Sequence, residues 1–474
     1  FCRSYTRMGS SLTSKSTAPT MTSTSLAVHG RFVHGLTGKH GEVEFVEDGL
    51  IVVKDGVISA VSRGADVAAA LEALDKGVEV VNLADDEFLL PGLIDCHIHA
   101  AQYAYTGTAT NLGLMDWLQT YTFPAERKCE DVAYAARVYE ALVKRLLRNG
   151  TTTGVMYATI HLEATKKLVD ICLDVGLRAV IGKVCMDQHG GDGYVETTQQ
   201  SLADTETFLE YCYSSQKPTD PRLRLVQPSV IPRFIPTCSL ELLKGLGALA
   251  AKNADRLCWV QSHCAETPDE MAFVESLYPG QRDAEIFEKA GLLTDHCVMA
   301  HGVHLLTSEF KLFEKKCTGV ACCALSNAFL SVGAFRLVDA QRAGVRVGLG
   351  TDLAGGYATS MLSSCRHAVT ASKQLEAAGA PADVVIDYKR AFWTATLGGA
   401  LATHLEDVVG NFEVGKQFDA VHVRTGAGVY DVFHETATPA HKSKLETEFE
   451  LFINCGDDRN IKAVFVAGRK VHDN

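Results

Sequence analysis

The sequence predicts an α/β chain: a (β/α)8 TIM-type barrel carrying a small β-sandwich domain built from both chain ends. Three observations lead there. Eight apolar, strand-like runs recur between residues 89 and 349, most of them separated by a helical stretch. Both ends of the chain read instead as short strands and tight turns. Hydrophobic residues make up 47% of the 474 positions against 22% charged, enough to fill a large core and too many for a disordered chain.

Taken in order, residues 1–25 hold 13 Ser or Thr, and no acid precedes Glu42. With Arg3, Arg7 and Lys15 but no amphipathic helix, they read as a disordered or targeting tail. Residues 26–88 supply the N-terminal part of the sandwich, with strands at 30–33, 49–53 and 57–61 and a turn at Lys54-Asp55-Gly56. The barrel occupies 89–408. Its strands are expected at 89–97, 153–157, 178–185, 223–230, 257–262, 297–300, 318–321 and 345–349, continuous apolar runs of the kind that both-sides-buried parallel strands show. Between them, Val132, Ala135, Val138, Tyr139, Leu142, Val143 and Leu146 recur at helical spacing up to a stop at Asn149-Gly150, and 163–175 and 268–277 read as further helices. Residues 409–474 supply the C-terminal part of the sandwich, with strands at 420–423 and 463–467 and a turn at Gly468. Neither strand-rich end has an obvious core of its own, so the two are expected to pair with each other.

The formal net charge of −12 argues against nucleic acid and against an anionic membrane surface as partners. The uncharged run from Cys317 to Phe335 approaches bilayer length, but Thr318, Ser326, Asn327, Ser331 and two glycines mark it as a strand and loop of a soluble core. The 15 cysteines are odd in number, scattered from Cys2 to Cys455, and form no C-x-x-C pair. They read as free thiols in a reducing compartment, hence a cytoplasmic protein.

The sharpest motif is His97-Ile98-His99. On an extended strand residues i and i+2 face one side, so the two imidazoles point together, an arrangement that a divalent metal such as zinc or iron stabilises. It does not stand alone: the fifth strand ends in His263, the sixth in His301, and the eighth runs into Asp352. In a barrel of this type the chemistry sits at the C-terminal ends of the strands. Four His and one Asp meeting there make a metal site with a place for water. Glu266, three residues past His263, is placed to move a proton between a metal-activated water and a leaving nitrogen.

These residues resemble the amidohydrolase superfamily, whose signature is the His-x-His of strand one, His on strands five and six, and Asp on strand eight. Longer strings are similar to the guanine deaminases within it: His97 to Tyr103, Tyr121 to Glu126, Pro232-Arg233-Phe234, Gly350 to Tyr357, and Gly456 to Asn460. The resemblance implies one zinc on His97, His99, His263, His301 and Asp352, with Glu266 as proton shuttle and Asp352 assisting. It implies that Gln102 and Arg233 contact the purine, that hydroxide attacks carbon 2 of guanine to release ammonia and leave xanthine, and that the chain is a homodimer. Arg233 suits a carbonyl acceptor, and Gln102 can donate and accept. Phe234 can pack on the ring face, though it and Trp117 also read as plain core residues.

Two departures stand out. The family string His-Cys-Pro-Asn-Ser-Asn appears here as Cys322-Cys323-Ala324-Leu325-Ser326-Asn327, which is expected to alter a pocket wall, and Ile231 stands where Thr is commoner. Lys183 lies on strand three, one strand early for a metal-bridging lysine, so it reads as a structural ammonium and the site as mononuclear. Three functions stay open: a purine deaminase, a hydrolase of cyclic amides or another aminohydrolase on the same scaffold, and a metal-free interaction protein. The Gln102 and Arg233 strings favour the first, and the complete ligand set disfavours the third.

Overall fold

The computed structural model describes residues 25–108, 111–433 and 442–474, so the expected tail lies outside the described residues except for Ser25. Eight barrel strands form at Leu93–His99, Thr151–Tyr157, Arg178–Cys185, Val226–Pro232, Trp259–Cys264, Cys297–His301, Gly319–Cys322 and Arg346–Leu349. Each pairs in parallel with the next in chain order. Almost every residue in them is buried, which is why they read as largely apolar runs rather than alternating ones.

The first and last strands meet at a seam of hydrogen bonds. Asp95 accepts the Thr351 backbone N–H at 2.9 Å and its hydroxyl at 2.6 Å. The Asp352 N–H donates to the His97 carbonyl at 2.9 Å, and the His99 N–H to the Leu353 carbonyl at 3.0 Å.

The helices start and stop where local chemistry directs. The helix Val132–Arg148 is capped by the Asp131 side chain, which accepts from the Ala133 N–H, and it buries the Ala135, Tyr139, Leu142, Val143 and Leu146 face against the barrel. Leu162–Val175 ends at Gly176 in the left-handed region, and Pro268–Leu277 opens on a capping box between Thr267 and Glu270.

The chain ends join into a second, mixed sheet. Its path runs Arg469–Asp473, Ile461–Val466, Ala420–Arg424, Glu87–Pro91, Ser25–Gly35, Val43–Lys54 and Val57–Arg63, with Glu79–Asn82 added on Ser25–Gly35. The strands Glu79–Asn82 and Arg469–Asp473 were not anticipated. One expectation is corrected: the single strand over 89–97 is two. Glu87–Pro91 pairs antiparallel with Ala420–Arg424 in the second sheet, and Leu93–His99 opens the barrel. Gly92 is the changeover, where a Cβ would stand 1.9 Å from the Thr152 hydroxyl oxygen, so only glycine lets the two sheets approach this closely.

The sheets are also joined by a buried ion pair. Arg178, at the start of the third barrel strand, donates to both carboxylate oxygens of Asp419 at 3.0 and 3.1 Å and to Gln417 at 2.6 Å. The described cysteines are all free thiols. The run from Cys317 resolves into the strand Gly319–Cys322 and the helix Ala324–Phe329. Among the described residues no helix is long and apolar enough to cross a membrane.

Removing one partner of a buried pair strands the other's charge, at a cost of about 3–5 kcal/mol. Arg178→Met is therefore expected to lose about that much unfolding free energy in a denaturant titration, and R178M/D419L to recover part of it. A single variant as stable as the parent would refute this account of how the second sheet is tied to the barrel.

Candidate metal centre and active site

The period of two along the first strand brings His97 and His99 to one side, their rings edge to face at 4.8 Å. His263, from the fifth strand, places its Nε2 3.0 Å from His99 Nε2. His301 is the last residue of the sixth strand. Asp352, just beyond the eighth, sets Oδ1 3.2 Å from His97 Nε2 and 3.5 Å from His99 Nε2, and Oδ2 3.8 Å from His301 Nε2. The donor atoms form two overlapping trios, His97/His99/His263 and His97/His301/Asp352, each with its atoms within 4.8 Å of one another. All five side chains are buried.

This arrangement fits a divalent cation. Two nitrogen ligands on a tetrahedral zinc lie about 3.3 Å apart, given bonds of about 2.0–2.1 Å. His97 Nε2 is buried without a well-formed hydrogen bond, an orphan that a cation satisfies. The far nitrogens of two other rings are held: His263 Nδ1 by the Arg233 carbonyl at 2.6 Å, and His301 Nδ1 by Asn327 Oδ1 at 2.9 Å. Such bonds put the proton on Nδ1 and leave Nε2 as a lone-pair donor. Burial drives His99 and His263 well below the ordinary imidazole pKa, which keeps them in the neutral, ligating form. Burial opposes ionisation of Asp352, but the surrounding imidazoles, that of His97 foremost at 3.2 Å from Oδ1 and then those of His301 and His99, hold it well below the usual carboxylate range. Ser326 donates to its Oδ2 at 2.5 Å.

Glu266 follows the fifth strand on a turn whose Ala265 has φ 47°. Its Oε1 lies 3.7 Å from His301 Nε2, and burial raises its carboxyl to about 7. His301 (φ 68°) and Asp352 (φ 47°) share the left-handed conformation of Ala265. Three non-glycine residues are thus strained where strands exit into the site, a cost the rest of the fold must offset.

Gln102, Arg233, Phe234 and Glu266 line one cavity together with His99, His263, His301 and Asp352. Leu114, Trp117, Leu118 and Leu330 form its apolar wall. Phe234 and Trp117 are therefore buried and cavity-lining at once, and Phe234 stands edge-on to His263 at 6.4 Å. Lys183 lies elsewhere, fully buried and bonded to Glu196 at 2.5 Å and the Val184 carbonyl at 3.1 Å, the structural ammonium expected of it.

Three supporting residues escaped the sequence. Glu126 accepts from both Arg233 Nη atoms, at 2.7 and 3.0 Å, and from Gln102 at 3.2 Å; its only signal was that it closes the Tyr121 to Glu126 string. Ser326 and Asn327 are, with Cys323, what the altered string keeps of the family pattern. The expected change in the pocket wall is corrected. Cys322 and Ala324 face a different, apolar cavity against the helix Met361–Ala377, so their replacement leaves the site's lining alone.

Residues 88–471 match the model of the amidohydrolase family. A guanine deaminase of Dictyostelium discoideum is 38% identical over 455 residues, covering 93% of this chain and 97% of the relative. A guanine deaminase from C. acetobutylicum, solved with guanine in its active site, superposes with a TM-score of 0.83 at 31% identity, covering 94% of this chain and all of that one. An adenosine deaminase from Xanthomonas campestris, solved with bound zinc, gives 0.78 at 25% identity, covering 94% and 92%. The chain belongs to the amidohydrolase family, on the branch occupied by guanine deaminases.

Proposed function

We propose that this chain is a guanine deaminase of purine catabolism or salvage, hydrolysing the bond between carbon 2 and the exocyclic nitrogen to give xanthine and ammonia. The observation that carries the reading is that four members of the two donor trios, His99, His263, His301 and Asp352, line one partly apolar cavity together with the buried carboxyl group of Glu266 and the hydrogen-bonding side chains Gln102 and Arg233. The relatives that share the fold over nearly the whole chain support it.

His97, His99, His263, His301 and Asp352 would hold one zinc; imidazole and carboxylate donors suit it, and the zinc-containing relative supports the choice over iron. When bound, the metal supplies Lewis acidity that brings the pKa of water toward about 7. Glu266 takes the proton from the attacking water and passes it to the amino nitrogen as the C–N bond breaks and the C–O bond forms. Asp352, fixed by Ser326, is the second acceptor for that proton. Arg233 has five N–H donors and gives two of its nitrogens to Glu126, which leaves donors for the purine carbonyl. Gln102 reaches the same ring edge, Phe234 packs against the base, and the leucines with Trp117 exclude water. The free thiols support a reducing, cytoplasmic setting. A homodimer follows from the family resemblance, and its mass in solution tests it.

The purified chain is expected to contain one zinc and to convert guanine to xanthine, followed by ultraviolet absorbance, while opening no hydantoin or dihydropyrimidine ring. His99→Ala should lose metal and turnover together. Glu266→Gln should keep the metal and lose turnover by about 10²–10⁴-fold; a fully active E266Q would remove Glu266 from its role. Asn327→Ala frees the far nitrogen of His301, so its metal affinity should fall about 10–100-fold in competition with a chelator. Unchanged affinity would show that this bond does not orient a ligand.

A further inference from the structure

We propose that Glu126 is the positioning residue that decides which purines the site accepts, by fixing the hydrogen-bond polarity of Gln102 and Arg233. The inference rests on the deaminase reading above and deepens it.

Glu126 lies on the short helix Phe123–Arg127 and is fully buried. It is absent from the cavity lining, so it acts through its neighbours rather than by touching a ligand. One carboxylate oxygen accepts from Arg233 Nη1 at 2.7 Å; the other accepts from Arg233 Nη2 at 3.0 Å and from Gln102 Nε2 at 3.2 Å. At the far end of the same amide, Gln102 Oε1 accepts the Ala354 backbone N–H at 3.2 Å.

A side-chain amide free to turn can offer a ligand either its oxygen or its NH2. This one cannot turn. A carboxylate only accepts, so Nε2 must face Glu126; a backbone N–H only donates, so the oxygen must face Ala354. The donor left to Gln102 is its second N–H, and Arg233 carries donors alone. Both groups therefore offer N–H to the cavity. That array matches a ring carrying a carbonyl oxygen and an unprotonated nitrogen. It meets a ring amino group donor to donor, leaving buried donors unsatisfied, which is how polar sites discriminate strongly between near-isosteres. Discrimination of an oxo from an amino substituent thus traces to a carboxylate outside the cavity wall.

The test uses the full, metal-loaded chain and measures ammonia release from guanine and from 2,6-diaminopurine, in which an amino group replaces the carbonyl. The parent is expected to prefer guanine. Glu126→Gln puts an amide opposite Gln102 and Arg233 and releases Gln102 to turn. Its KM for guanine should rise about 10–100-fold, the worth of one charge-assisted hydrogen bond, with a much smaller change in kcat. Its preference for guanine over 2,6-diaminopurine should narrow by about tenfold or more, with metal content and circular dichroism unchanged. Glu126→Asp keeps an acceptor-only group and should fall between the parent and E126Q in both KM and preference. An E126Q enzyme with parental KM and preference overturns the proposal, and so does one that loses kcat alone. If E126Q does not fold, E126D decides: intermediate values support the proposal, and parental values from a folded E126D overturn it. A parent that releases no ammonia from guanine is a separate outcome, and it defeats the proposed function rather than the part assigned to Glu126.

Discussion

The seam between the first and last barrel strands is the constraint on which the rest depends. Asp95 takes two hydrogen bonds from Thr351, and the next two pairings link Asp352 to His97 and His99 to Leu353. These bonds close the cylinder. They also set the carboxylate of Asp352 beside two imidazoles more than 250 positions earlier in the chain. Closing the fold and assembling the ligand set are one event, so the site needs no device of its own to bring its two halves together. A barrel suits such chemistry because each strand end delivers one side chain to a common axis while its backbone bonds remain satisfied by its neighbours.

The cluster so formed is unfavourable on its own. Four imidazoles are packed within ring-contact distance, buried, with a left-handed residue at two of the five ligand positions. What holds them is a surrounding layer of acceptors and donors: the Arg233 carbonyl on His263, Asn327 on His301, Ser326 on Asp352. Each fixes a ring or carboxylate in the orientation that turns a donor atom inward. Binding a cation there is then coupled to the folded state, because the unfolded chain has no such constellation.

Much of this was legible in the sequence, for definite reasons. Buried parallel strands are largely apolar, so all eight are visible as strand-like runs, and the period of two alone makes His97 and His99 neighbours. What stayed hidden depends on information that period does not carry. Glu87–Pro91 and Leu93–His99 read as one apolar run because both are buried; nothing in hydrophobicity says that the two halves pair with different partners, and only Gly92 marks the break. Glu126 stayed hidden because it lies on a five-residue helix, too short for a face to be read, and an acid there reads as solvated. Its burial becomes intelligible only once Arg233, 107 positions later, arrives to neutralise it.

The altered segment after the seventh strand shows which parts of a site tolerate change. Of the family string, this chain keeps Cys323, Ser326 and Asn327 and replaces the rest. The kept residues are those that meet the ligand strands: Ser326 holds Asp352, Asn327 holds His301, and Cys323 packs where a Cβ on Gly350 would come within 3.1 Å of its sulfur and 3.0 Å of His97. The replaced ones have other surroundings. Cys322 and Ala324 face the apolar cavity behind the barrel, and Leu325 packs against Gly356. An apolar contact asks only for volume, which several side chains can supply. A hydrogen bond to the far side of a ligand asks for one atom at one place, and a near neighbour in chemistry cannot supply it. The residues that diverge and those that persist within six consecutive positions therefore divide by what each side chain faces, not by distance along the chain from the metal site.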